Sequence, residues 1–224
     1  MLPDDCDVGS SRVLHYCADM RAHDLKRLVA DGYDKIADAY FEQFARSSVR
    51  AAKLAELIAR LAETARVLDL GCGAGVPVAR DCAARGFRVT GVDASPEQIA
   101  RARCNVPEAE FIHADMTAVS FAAETFDAVA AFYAITHVPR NEHAALIRRI
   151  ASWLRPGGVL VASFGASEGE WLGDWLGAPM FFSHHAPEEA ERLIRDAGLC
   201  LEQAELLEQD NETATFLWIT ARKP

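Results

Sequence analysis

The stretch VLDLGCGAGVPVARD, Val67 to Asp81, limits most sharply what this chain can fold into. An apolar run carrying Asp69 near its end meets a turn with glycine at 71, 73 and 75, and the pattern beyond reads as a helix with Pro77 in its first turn and Gly86 just past its end. A strand, a glycine turn and a helix form the opening unit of a parallel sheet, and such a turn presents backbone N–H groups and a helix N-terminus to a ligand. The unit recurs. FRVTGVD reads as a second strand, and SPEQIARARCN as a helix with Ser95 at the N-cap, Pro96 at N1 and Gln98 at N3, the spacing of a capping box. AEFIHAD and FDAVAAFYA read as the third and fourth strands, NEHAALIRRIASWL as a helix halted by Pro156-Gly157-Gly158, and GVLVASF as the fifth strand.

Before this series, Leu54, Leu57, Ile58 and Leu61 fall at helical spacing within Arg50 to Leu61. After it, Ala190, Leu193, Ile194 and Ala197 share one face of a helix that Gly198 stops, and two late strands, Leu199 to Leu207 and Thr213 to Ala221, are linked closely enough for an antiparallel hairpin at the sheet edge. The 224 residues are expected to form a single domain, with a loose arm over 1–22 and a helical cap over 23–63. The opening segment lacks the pattern of a secretory signal, and no apolar run reaches the ~18 residues that span a bilayer. Six cysteines without CxxC pairs point to reduced thiols and a cytoplasmic setting, not to zinc. A net charge of −10 repels a phosphate backbone, which argues against nucleic acid as a partner.

One segment, GASEGEWLGDWLGAPMFFSHHA over residues 165–186, shows no regular pattern, yet it carries Trp171, Trp175, Phe181 and Phe182. It leaves the carboxyl end of the fifth strand, the edge at which open α/β sheets bind ligands, and is read as a lid with an aromatic wall. Ordinary core packing is the alternative for the four rings.

The turn itself narrows the ligand. A dinucleotide fingerprint starting at Gly71 requires glycine at 76, where the chain has Val76, and Asp69 repels a pyrophosphate but suits an ammonium. VLDLGCGAG, followed in order by VTGVDAS, FIHADM, FDAVAAFYAITHV and LRPGG, resembles the motif series of class I S-adenosylmethionine-dependent methyltransferases of the small-molecule type. The resemblance implies a Rossmann-like α/β fold: a seven-stranded, mostly parallel sheet with helices on both faces, an antiparallel last strand, an N-terminal helical cap and a lid after strand five. It further implies S-adenosyl-L-methionine as cofactor, S-adenosyl-L-homocysteine as its product, and no metal.

By the same resemblance the cofactor contacts are Asp69, Gly71, Gly73 and Gly75 at the turn; Asp93 on both ribose hydroxyls with Ala94 beside it; Asp115 at the adenine amino group with Met116 on the ring; and Phe132. Tyr33 and Tyr40, in DGYDKIADAYFEQF, close over the methionine end. Gln98 has two readings, the capping box or a polar contact to the nucleoside.

Methyl transfer from a sulfonium is an in-line displacement that proximity can drive, and a base is needed only if the acceptor must lose a proton. The candidate bases are His137, His184 and His185, with Tyr133 as a positioning hydroxyl; packing is the alternative for His137, and adjacency allows at most one of His184 and His185 to face a pocket. A metal on His184, His185 and Glu188 is disfavoured by their spacing. The expected function is methylation of a small, partly apolar or aromatic acceptor at O, N, C or S by a monomer or homodimer. A cofactor-binding protein without catalysis and a nucleic-acid or protein methyltransferase stand as alternatives.

Overall fold

A computed structural model describes residues 20–210 and 212–224. The loose arm expected over 1–22 lies outside the described residues except for its last three, and Ala22 already opens a helix.

Helices α1 (Ala22–Phe44) and α2 (Ser48–Ile58) precede β1 (Arg66–Leu70). There follow α3 (Val78–Ala83), β2 (Arg88–Asp93), α4 (Pro96–Asn105), β3 (Glu110–His113) and β4 (Phe126–Ala131). A 3-10 turn (Ile135–His137) leads to α5 (Arg140–Trp153), β5 (Leu154–Gly165), β6 (Gly169–Trp175) and β7 (Ala178–His184). The chain ends with α6 (Pro187–Asp196), β8 (Cys200–Glu208) and β9 (Thr215–Arg222).

Seven strands form one sheet in the order β3-β2-β1-β4-β5-β9-β8. The first five are parallel and β9 runs antiparallel between β5 and β8, as expected from the sequence. Alternation along the strands builds a core on each face. Leu68 and Leu70 pack with Leu146, Ile150 and Ile194 from α5 and α6, whereas Val67 packs with Leu54, Ala79 and Ile99 from α2, α3 and α4. The strand order reverses between β1 and β4, so a crevice opens beyond their carboxyl ends.

Two element boundaries differ from the sequence reading. Helix α3 begins at Val78 with Pro77 as its N-cap rather than in its first turn. Pro156-Gly157-Gly158 lies inside β5, at a register shift where Phe126 pairs with Leu154 and Ala128 with Val159, so that α5 runs directly into the strand.

The larger correction concerns residues 165–186, which are regular. β6 and β7 pair antiparallel from Gly169↔His184 to Trp175↔Ala178, leaving a two-residue turn at Leu176-Gly177 with φ of 53° and 85°. Two left-handed residues make a type I′ turn, whose usual signature is Asn-Gly or Asp-Gly; the leucine here hid it. This hairpin pairs with no strand of the large sheet. It rests instead on α1, where Leu25, Val29 and Ile36 meet Leu172, Met180 and Phe181.

Gly32 sets how closely the two pieces approach. A Cβ there would lie 2.7 Å from Met180 Sδ and 3.2 Å from the Pro179 carbonyl oxygen. Alanine adds about 1 kcal/mol of helix propensity, but overpacking costs about 1–3 kcal/mol, and the carbonyl cannot swing away as the thioether can. We expect Gly32→Ala to lower the Tm by about 2–6 °C in a thermal melt and to leave the hairpin more open to proteolysis.

Candidate functional site

The crevice holds three hollows that share Tyr40, of about 710, 510 and 310 Å³.

The first hollow lies between β2, β3 and the overlying α1, and is lined by Val92, Asp93, Ala94, Asp115, Met116 and Val29 among others. The glycine turn is pinned to β2, because the N–H groups of Gly71 and Cys72 both donate to the Val92 carbonyl, at 2.8 and 3.1 Å. Asp93 is aimed by two further N–H donors, Gly73 at 2.8 Å on Oδ2 and Ser95 at 2.9 Å on Oδ1. Each oxygen retains a lone pair toward the hollow, which suits a cis-diol. Burial nonetheless pushes the Asp93 carboxyl up from its ordinary value.

Because Asp93 takes the Ser95 N–H, the capping box is only half made. Ser95 Oγ accepts the Gln98 N–H at 3.0 Å, but the Gln98 side chain does not return to Ser95. It lines the first two hollows, with its Nε2 buried and without a hydrogen-bond partner.

Asp115 accepts from the Thr117 N–H and hydroxyl, both at 2.8 Å, and from Lys26 Nζ at 2.7 Å. Burial works against its charge, yet these donors hold the carboxyl below its ordinary value. Lys26 also reaches Glu142 at 2.7 Å, so α1 is fastened over this hollow by one ammonium shared between two carboxylates. Asp34, one helical face further on, accepts from Ser95 Oγ and from the Glu97 N–H at 3.2 Å.

The second hollow carries Asp69, Gly71, Gly73, Phe132 and Arg50. Burial, and then the neighbouring Asp93, push the Asp69 carboxyl up to about 8, against the opposing pull of the Ala79 N–H and Arg50. Arg50, in the first turn of α2, is buried with its guanidinium 4.6 Å from the Tyr133 ring centre and 5.3 and 5.4 Å from those of Tyr40 and Phe44. Its Nη2 donates to the Tyr40 hydroxyl at 2.6 Å, while its Nε has no partner. A buried carboxyl and a buried guanidinium with a spare donor, lining one hollow, match the ammonium and carboxylate of an amino acid. The third glycine, Gly75, lines none of the hollows; its α-carbon faces Phe111 and Val106.

The third hollow lies between α1, the hairpin and the β8–β9 connection. Tyr33, Tyr133 and His137 separate it from the first. The His137 ring is fixed in one tautomer: Nδ1 lies 2.8 Å from the Phe181 carbonyl, which can only accept, so Nδ1 donates and Nε2 accepts from the Tyr33 hydroxyl at 3.0 Å. Burial pushes its pKa down to about 4, so it is neutral at pH 7. Tyr133 stands at φ 57°, held by its N–H to Ser163 Oγ at 2.6 Å, and its ring faces Arg50.

The expectation that His184 or His185 faces a pocket is not met. His184 packs against Trp171 at 4.8 Å and lies over Gly165, while His185 meets His143 edge-on at 5.2 Å, and neither lines any of the three hollows. Phe182 and His184 share one side of β7, but only Phe182 reaches the third hollow, where it packs against His137 and Trp175; His184, two residues further along, sits over Gly165 instead. Arg50 and Lys26 were not singled out in the sequence. Each sits on a cap helix about 20 or more residues from the motif it serves, and neither forms a local pattern.

Residues 67–158 match the family model of a methyltransferase domain. The chain is 33% identical over 155 residues to a ubiquinone biosynthesis O-methyltransferase of Aeromonas salmonicida, covering 65% of this chain and 64% of that protein. It is 39% identical over 126 residues to a trans-aconitate 2-methyltransferase of Azoarcus, covering 55% and 48%. It thus spans less than two thirds of the length of these relatives. Among solved structures, a 1,6-didemethyltoxoflavin-N1-methyltransferase of Burkholderia thailandensis, with its substrate and S-adenosylhomocysteine bound, superposes with a TM-score of 0.71 at 21% identity over 91% of each chain. Over residues 67–158 the chain is thus similar to a methyltransferase domain, and it shares the fold of the Burkholderia enzyme.

The raised Asp69 pKa has a consequence for stability. An unfolded aspartate ionises near pH 3.9, so the native state binds this proton more tightly, and the group's contribution to stability declines as pH rises from about 4 to about 8. We expect Asp69→Asn to raise the Tm of the ligand-free protein at pH 7.5, with the difference shrinking toward pH 4. The same change should weaken S-adenosylhomocysteine binding at least ~100-fold by calorimetry, the scale of losing a buried charged partner.

Proposed function

We propose that the protein transfers a methyl group from S-adenosylmethionine to a small, flat, partly apolar acceptor, with the nucleoside in the first hollow, the methionine end in the second and the acceptor in the third. The observation that carries this reading is the sharing of Tyr40 by the three hollows, with a buried carboxyl and guanidinium fitted to a zwitterion in one and a histidine nitrogen that accepts from Tyr33 at the edge of another. The donor set suits the ligand chemically. Asp93 would accept from the two ribose hydroxyls, Asp69 would take the ammonium, Arg50 Nε the carboxylate, and the carboxylate of Asp115 the adenine amino group. When bound, S-adenosylmethionine supplies an activated methyl group on a sulfonium.

The chain's own part is alignment, exclusion of water and management of one proton. The aromatic cap of α1 and the hairpin shields the meeting point, where a low dielectric strengthens polar interactions. His137 Nε2 would accept the proton that an O–H or N–H acceptor loses, once Tyr33 yields the position. The Phe181 carbonyl would hold the opposite nitrogen as donor throughout. His137 therefore replaces His184 and His185 as the proposed base, and Tyr133 would orient Arg50 rather than the acceptor.

A radiolabelled-methyl assay against hydroxylated and amino-substituted aromatics tests the proposal, and absence of transfer to any of them while S-adenosylhomocysteine binds would argue for a cofactor-binding protein without catalysis. With the base already neutral, wild-type kcat should be flat between pH 6 and 8. His137→Ala should lose about 10²–10⁴ in kcat near pH 7 and recover as pH rises and the acceptor ionises by itself. A pH-independent loss would assign His137 to packing alone.

Proton release supplies a second test. At pH 7 a carboxyl titrating at about 8 is mostly protonated, and an ammonium partner would lower that pKa. Binding of S-adenosylhomocysteine should therefore release protons, seen as a dependence of binding enthalpy on buffer ionisation enthalpy, and affinity should rise between pH 6 and 7.5.

A further inference from the structure

We propose that the third hollow selects acceptors bearing at least two hydrogen-bond donors and no carboxylate, and that Gln209 and Glu212, on the connection between β8 and β9, impose this choice. The proposal rests on the methyl-transfer reading above for the place of the acceptor. Its content is the chemistry of the wall opposite His137.

The sides of the hollow are rings. Trp175 is stacked on Phe44 at 5.6 Å and 28°, Tyr33 and Tyr40 meet edge to face at 5.3 Å, and Phe182 and Phe216 complete the enclosure. Such walls favour a flat, partly apolar guest.

The polar groups include acceptors without a full set of partners. Gln209 Oε1 is buried with no hydrogen-bond partner. One oxygen of Glu212 takes the Trp175 indole N–H at 3.0 Å, and its other oxygen has lone pairs to offer. His137 Nε2 becomes a third acceptor once the Tyr33 hydroxyl turns away. The Tyr133 hydroxyl, buried and without a partner, can donate or accept. Arg50 is the lone cation lining the hollow among the described residues; its Nη2 is engaged by the Tyr40 hydroxyl, and its spare Nε is the donor assigned above to the methionine carboxylate. A guest with one O–H or N–H near His137 and another near Gln209 and Glu212 satisfies this set. A guest with a carboxylate in the second place faces Glu212 without a free cation.

Contacts on the described residues of the connection hold both groups. Asp210 accepts from the Ser47 hydroxyl at 2.8 Å and from the Ser48 N–H at the start of α2, the N-terminal end that favours an anion. The Gln209 N–H closes on the Ala214 carbonyl at 2.8 Å, and Glu212 is tied to the Trp175 indole. A site built to pair with a donor rejects an analogue that lacks it strongly, because the buried acceptor is left unpaired.

The test is equilibrium binding to the protein saturated with S-adenosylhomocysteine, which does not depend on turnover. Two matched sets serve as probes: hydroquinone, 4-methoxyphenol and 4-hydroxybenzoate, and 2,6-dihydroxynaphthalene, 6-methoxy-2-naphthol and 6-hydroxy-2-naphthoate. In at least one set the diol should bind tenfold or more tighter than both its ether and its carboxylate. Gln209→Leu should bring diol and ether to within about threefold, and Glu212→Gln should reduce the discrimination against the carboxylate by tenfold or more. Both variants should keep the wild-type affinity for S-adenosylhomocysteine, which shows that they fold. Equal binding of diol and ether, preference for the carboxylate, binding of none of the six, or a diol preference that survives both substitutions would each overturn the proposal. Methyl transfer is measured separately with the probes that bind, so a diol that binds selectively but is never methylated would count against the methyl-transfer reading and leave the subsite standing.

Discussion

A buried neutral imidazole needs a partner at each nitrogen, and His137 obtains its two partners from different parts of the molecule. The Phe181 carbonyl belongs to the hairpin and the Tyr33 hydroxyl to α1, while the histidine itself ends the turn after β4. These two bonds tie cap, hairpin and sheet together at the wall between the first and third hollows. Assembling the cap and setting the tautomer of the histidine are therefore one event. A shift of the hairpin away from the sheet would remove the Phe181 carbonyl and with it the reason for Nε2 to be the bare nitrogen.

The site also concentrates unfavourable electrostatics. Asp69 and Asp93 are both pushed toward protonation by burial; the charge of Asp93 adds to the difficulty of Asp69, which Arg50 opposes, and Asp34 adds to that of Asp93. Such an arrangement is poor for the stability of the empty protein and well suited to a ligand carrying an ammonium, a carboxylate and a diol. Lys26 plays the opposite part at the far end, where two carboxylates, Asp115 and Glu142, share its charge. The charges that fasten the cap are paired within the protein, and those beneath it await the ligand.

Most of the residues proposed to hold the methyl donor could be singled out in the sequence because their signals are local. The glycine turn after Asp69, Asp93 at the end of one strand, and Asp115 just past another each lie within a few residues of the backbone that aims them. The mostly parallel sheet with an antiparallel hairpin at its edge followed from alternation of strand and helix, though not the order of its strands. The acceptor half depends on contacts across the chain. Nothing local distinguishes His137 from His184 and His185; the distinction comes from how the hairpin docks, with Phe182 against His137 and His184 over Gly165. Arg50 reads as an ordinary helix residue until α1 folds back over it. The Leu176-Gly177 turn departs from the usual I′ residues, so the hairpin passed for irregular chain, and the capping box at Ser95 looked complete because Asp93, which takes the Ser95 N–H, is outside the motif.

The hairpin shares no backbone ladder with the seven-stranded sheet and leans on α1 through side chains alone. Strands inside a sheet are bound by register, so one inserted residue turns every side chain to the other face, whereas a free ribbon can be lengthened, shortened or retwisted without disturbing a neighbour's pairing. The wall of the third hollow is in this sense a detachable part. New shapes of guest can be accommodated there by editing a ribbon held by a few contacts, among them a carbonyl on His137, an indole on Glu212 and a glycine beneath a methionine, while the cradle on the sheet is left untouched.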